Sequence, residues 1–110
     1  MPEISDKIKN ILYEYVQEIS KKYKIEKVIL FGSCASNQNN QDSDVDLAIF
    51  SSQFNDKNRI RIMNELLMMV YKFKIDIQPL AFSYSDFLKD DNSFISNEIK
   101  KNGIEIYHNT

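Results

Sequence analysis

The sequence predicts a mixed α/β (α+β) domain, a mixed three- to four-stranded sheet with helices mainly on one face. Three observations carry this. Two apolar runs, Val28–Phe31 and Val45–Phe50, flank a polar loop. Two segments, 3–23 and 57–73, carry apolar residues at helical spacing, the mark of amphipathic helices that need a sheet to cover. A third apolar run, 75–82, follows the second helix, as in a strand–helix–strand crossover.

In the first helix Ile4, Ile8, Ile11, Leu12, Tyr15, Ile19 and Tyr23 form one stripe, with Lys7, Lys9, Glu14, Glu18 and Lys21 mostly off it. The tyrosines at this spacing read as core and boundary residues. Residues 22–26 turn into a strand over 27–31, which ends in Gly32-Ser33. The loop 34–43 is rich in Asn, Gln and Ser; a short helical turn is expected after Ser33, then a solvated stretch at 37–41. Cys34 has no neighbouring base and reads as a small packing residue.

Asp44-Val45-Asp46 opens the next strand, 44–50. Alternation puts Val45, Leu47 and Ile49 on one face and Asp44, Asp46, Ala48 and Phe50 on the other. Neighbouring carboxylates repel, and a cation between them relieves the repulsion; hard oxygen ligands suit Mg²⁺. Gly32 lets the backbone approach a ligand, and N–H groups and a hydroxyl past a strand end can hold phosphate oxygens. Side by side, these are equipment for a nucleoside triphosphate.

Asn55 or Asp56 is expected to cap the helix 57–73, which should turn Ile60, Met63, Leu66, Leu67 and Val70 to the core. Met68, Met69 and Tyr71 make it apolar on more than one face, which fits either a deep core position or a partner. Arg59 and Arg61, the only arginines, are expected on its solvated face. Pro79 suggests that the third strand is an edge or leaves the ladder there. Ser83 to Asp86 has the spacing of a capping box opening a helix over 84–89. A helix over 93–101 should stop at Asn102-Gly103, with a short strand over 104–107. His108 falls in the expected frayed tail.

Composition narrows the class. A chain of 110 residues supports one domain, 1–110. A net charge of −2 offers no basic groove for a nucleic-acid strand. One cysteine excludes an internal disulfide and fits a cytoplasmic setting. No apolar run approaches the length of a membrane span, and no signal-peptide core opens the chain.

Gly-Ser, ten residues, then Asp-x-Asp resembles the signature of the nucleotidyltransferase superfamily that includes DNA polymerase beta. At this length the chain is similar to the minimal nucleotidyltransferases (MNT) found beside helical HEPN proteins in toxin–antitoxin pairs. The resemblance covers roughly residues 25 to 107. It implies a nucleotidyltransferase-like fold, with Gly32, Ser33 and Ser43 on the nucleotide. Asp44, Asp46 and Asp76 would be the catalytic and metal-binding carboxylates, holding two Mg²⁺ ions. Asp76 would also receive the acceptor's proton. The family pattern Gly-Ser-Arg-Ala-Arg-Gly is replaced here by Gly32-Ser33-Cys34-Ala35-Ser36-Asn37, without the arginines.

If the three aspartates meet, strand 27–31 runs antiparallel to 44–50, while 44–50 and 75–82 run parallel through the helical crossover. The carboxylate face should then stay open. The expected activity is transfer of AMP from ATP to a hydroxyl of a HEPN-like partner protein, as an antitoxin. The alternatives are a non-catalytic module that neutralises such a partner by contact, and one subunit of a transferase completed by a second helical chain. Homo- and hetero-oligomers both remain open.

Overall fold

The computed structural model describes residues 6–32, 45–73, 75–89 and 92–109. Helix α1 (Asp6–Lys22) leads into β1 (Lys27–Phe31), and β2 (Val45–Ser51) follows the segment 33–44. Helix α2 (Arg59–Met68) tightens into a 3₁₀ turn, Met69–Lys72, before β3 (Ile77–Ser83). Helix α3 (Tyr84–Lys89), a π-helix (Ile95–Lys100) and β4 (Ile104–His108) complete the order. The sheet runs β3-β2-β1-β4. As expected, β1 is antiparallel to β2 and β2 is parallel to β3. Strand β4 adds an antiparallel neighbour on the other side of β1. Pro79 lies on the edge strand β3, where its missing N–H leaves no gap in an interior ladder.

Period-two alternation divides the sheet between two cores. On one face Val28, Leu30, Val45, Leu47, Ile49, Ile77 and Ala81 pack against Leu12, Tyr15, Val16 and Ile19 of α1 and Ile62 and Leu66 of α2. The Tyr15 hydroxyl donates to the Leu66 carbonyl at 2.8 Å, which gives this buried phenol a partner. Burial pushes its pKa above the ordinary tyrosine value. Lys72 pairs with Glu18 at 2.8 Å and Lys22 with Glu65 at 3.2 Å, tying the two helices along their solvated rim.

The other face is less open than its sequence suggests. Ile29, Phe31, Ala48, Phe50 and Phe82 pack against Ile95 and Ile99 of the π-helix, with Tyr84 and Phe87 of α3 alongside. The long helices do sit on one face, but the short C-terminal ones cover much of the second. Phe50 is the reason: fully buried, it stacks on Phe82 at 5.4 Å and meets the edge of Phe87 at 5.1 Å. An aromatic in the middle of a sheet face needs a cover.

The register of α2 also differs from expectation. Ile62, Leu66 and Val70 are buried, with Met63 and Met69 partly so. Ile60 is 72% exposed and Leu67 40%. Ile60 lies about 200° around the helix from Ile62, so both cannot face the sheet. Asn55 arranges the preceding turn, its side-chain oxygen accepting the N–H groups of Lys57 and Asn58 at 2.9 and 3.0 Å. The helix N-cap itself is Asn58, whose side chain makes no capping bond to the helix but bonds back to Asn55 and Gln53.

Helix α3 spans its expected residues, and the Ser83 hydroxyl accepts the Asp86 N–H at 3.3 Å. The expected helix 93–101 is a π-helix over most of its length, capped at its end by the Lys101 N–H on the Ser96 carbonyl. Gly103 follows where a Cβ would come within 2.5 Å of Ile29 Cγ2, so the glycine permits close approach to β1. His108 is not a frayed tail residue but the last residue of β4, paired with Lys27. Asn109 continues the tie, its N–H donating to the Glu26 carbonyl at 2.9 Å.

Candidate active site

The functional end of the sheet is where β1 finishes and β2 and β3 begin. Phe31, the last residue of β1, pairs with Asp46 on β2. The next residue, Gly32, turns the chain with φ +80°, a conformation that side chains strain. A Cβ on Gly32 would stand 2.4 Å from Asp46 Oδ2 and 3.3 Å from its Cγ. The glycine backbone therefore lies directly against the carboxylate. The sequence called for a glycine here to admit a ligand; the structure shows it against a side chain of its own sheet, with two features that favour glycine, the left-handed turn and the lack of room.

Asp76 arrives from the other side. Its carbonyl accepts the Val45 N–H at 2.8 Å, and its exposed side chain stands one residue before β3. In register, Val45 faces Ile77 and Asp46 faces Gln78. The backbone thus places Asp46 and Asp76 on neighbouring strands at the same end of the sheet. Ser33, Cys34, Ser43 and Asp44 lie outside the described residues. Among the described residues no three His, Cys, Asp or Glu side chains form a metal cluster; that set holds two of the three carboxylates. The donors are nonetheless hard oxygens beside a backbone that has no side chain in the way, a combination that fits Mg²⁺ with phosphate.

Two neighbours were missed from sequence. Gln78 is exposed and opposite Asp46. Phe94 meets Phe31 edge-to-face at 5.7 Å and is 43% exposed, so an aromatic pair flanks the Asp46 position. Only the alternation of β3 pointed to Gln78. Nothing local pointed to Phe94, whose contact spans most of the chain. The two arginines are elsewhere: Arg61 pairs with Glu65 at 3.4 Å, and Arg59 stands over the Phe82 ring at 5.0 Å, toward the far end of the sheet.

A left-handed glycine thus lies against a strand carboxylate at one end of a mixed sheet, with a second aspartate just before the next strand. Residues 7–110 match the family model described as "Polymerase beta, Nucleotidyltransferase", and the chain belongs to that family. A stretch of 42 residues is 40% identical to the "Putative protein adenylyltransferase MJ0126" of Methanocaldococcus jannaschii. That match covers 38% of this chain and 43% of the relative, so it spans under half of the length of either. Among solved structures, one titled "Crystal structure of the toxin-antitoxin with AMP-PNP" aligns over 93% of this chain and 74% of its own. Its TM-score is 0.61 at 14% identity, a likeness of fold.

Proposed function

We propose that this protein transfers AMP from ATP to a hydroxyl on a helical HEPN-like partner protein, as the antitoxin of a toxin–antitoxin pair in the cytoplasm. The observation that carries the reading is the Gly32 backbone lying against the Asp46 carboxylate, with Asp76 held beside the start of β2. The named adenylyltransferase relative and the toxin–antitoxin neighbour support the choice of reaction and setting.

Each residue then has a task. Gly32 gives the triphosphate access to backbone N–H groups, and Ser33 and Ser43 donate hydroxyls to its oxygens. Asp44, Asp46 and Asp76 would hold two Mg²⁺ ions, which supply charge neutralisation and acidify the acceptor hydroxyl. The acceptor oxygen forms a bond to the α-phosphorus as the bond to pyrophosphate breaks, and Asp76 takes the hydroxyl proton. Phe94, 43% exposed and braced edge-on by the buried Phe31, offers an aromatic face for the base. Most of the rate would come from positioning and charge.

The partner supplies what this chain lacks around its acceptor. Ile60, Leu67 and Met68 of α2 and Tyr71 of the 3₁₀ turn that follows it are exposed apolar residues, with Met68 65% and Tyr71 75% exposed. Met68 among them would dock the partner, whereas Met69 turns to the core. Those exposed residues also favour a second reading, in which contact alone neutralises the partner. Incubation with Mg²⁺, ATP and a helical HEPN-like partner protein should add the mass of AMP to that partner, and Asp44→Asn should stop the addition. Tight binding without modification by the wild type would select the contact-only reading.

A further inference from the structure

The opposite end of the parallel strands holds a cavity of about 540 Å³. It is separated from the Asp46 end by the length of β2, about 20 Å. Its floor is apolar: Phe54 is 2% exposed and Phe82 7%. Its walls come from the turn after β2, the start of α2 and α3, and carry Arg59, Lys89, Asp56 and Asp86. A crevice beyond the carboxyl ends of parallel strands is a common place for a ligand in α/β sheets, and this volume suits a small molecule.

The polar groups are what make the cavity specific. The Arg59 guanidinium lies over the Phe82 ring at 5.0 Å, and its Nε is buried without a hydrogen-bond partner among the described residues. A buried donor left unsatisfied is costly. Among the described residues the ion pairs use Lys21, Lys22, Lys27, Arg61 and Lys72 as their cations. Neither Arg59 nor Lys89 is among them, and neither Asp56 nor Asp86 appears as an acceptor. Among the described residues, one cavity thus carries charges of both signs that form no ion pair.

A simple anion would meet Asp56 and Asp86, and a simple cation would meet Arg59 and Lys89. A ligand with both charges avoids either conflict. We infer that this cavity binds a small apolar α-amino acid as its zwitterion. The carboxylate takes the Arg59 fork, whose planar donors match it, with Lys89 as the second cation. The ammonium faces Asp56 and Asp86, and the apolar side chain lies against Leu88, which lines the cavity and is 64% exposed. This site is independent of the nucleotide reading, since none of its residues serves at the Asp46 end.

The two arginines give a direct readout, because each Nε–H produces its own resonance in a ¹H–¹⁵N spectrum. Millimolar L-leucine or L-phenylalanine should shift the Arg59 resonance and leave that of Arg61 in place. Isocaproate, which is leucine without its ammonium, and isoamylamine, which lacks the carboxylate, should bind about tenfold more weakly or worse, a loss of about 1.4 kcal/mol or more. Arg59→Met keeps an apolar cover on Phe82 and should abolish the leucine response in calorimetry. Lys89→Gln, on the exposed short helix, should weaken it. An Arg59 resonance that neither amino acid moves would overturn the inference. So would inorganic phosphate or isocaproate binding as tightly as leucine.

Discussion

Gly32→Ala is expected to leave the protein folded and remove its binding of ATP with Mg²⁺, and Gly32→Val to do so with a greater loss of stability. At φ +80° any side chain is strained, by about 1–3 kcal/mol, and a β-branched one most of all. The collision is a separate matter. The added Cβ would stand 2.4 Å from Asp46 Oδ2, and the atom that must give way is the end of that side chain. The fold therefore survives while the carboxylate is displaced. Thermal melts would read the strain and calorimetry the loss of ligand. An alanine variant that melts lower but binds ATP normally would mean that Gly32 serves only the turn.

The second large effect lies in the aromatic core. Phe50→Ala should cost about 3–5 kcal/mol, the usual range for deleting a buried phenylalanine. The ring is fully buried between Phe82 and Phe87, and its loss leaves a void that α3 cannot fill while tied to β3 by Ser83. Against a total stability of about 5–15 kcal/mol, the loss should shift the denaturant midpoint far down. A change under about 1 kcal/mol, the scale of a surface substitution, would mean that α3 and the π-helix do not pack on this face.

That second core shows where sequence reading stops. The span of β1, the span of α3, the edge position of β3 and the parallel crossover were all legible, because each rests on a local signal: an apolar run, a capping serine, a proline, a helix of the right length. Phe50 was visible too, but only as one of the residues beside Asp46. What would cover it lies beyond residue 84 and required tertiary packing. Helix α2 failed for a different reason. With Ile60, Ile62, Met63 and five consecutive residues Leu66–Val70, it is apolar nearly all round, and several stripes fit the helical period equally well. Only the sheet selects Ile62, Leu66 and Val70.

The candidate site divides in the same way. The placement of Gly32, Asp46 and Asp76 at one end of the sheet was legible because it depends on strand ends and short spacings. The direct approach of Gly32 to the Asp46 side chain was not, since it belongs to the left-handed turn. The Phe31–Phe94 pair and the charges around Arg59 are products of packing between distant segments, and no spacing in the chain encodes them. His108 was misplaced because a terminal Ile-Glu-Ile-Tyr-His stretch is too short to reveal its pairing with β1.

The central claim is that the Gly32–Asp46 end of the sheet is a metal-dependent nucleotide site, and calorimetric titration with ATP tests it most directly. The wild type should bind ATP with Mg²⁺ and lose that heat on chelation of the metal. Asp46→Asn should be silent in both conditions while retaining the wild-type circular dichroism spectrum. Equal titrations for wild type and Asp46→Asn, with the metal making no difference, would contradict the account.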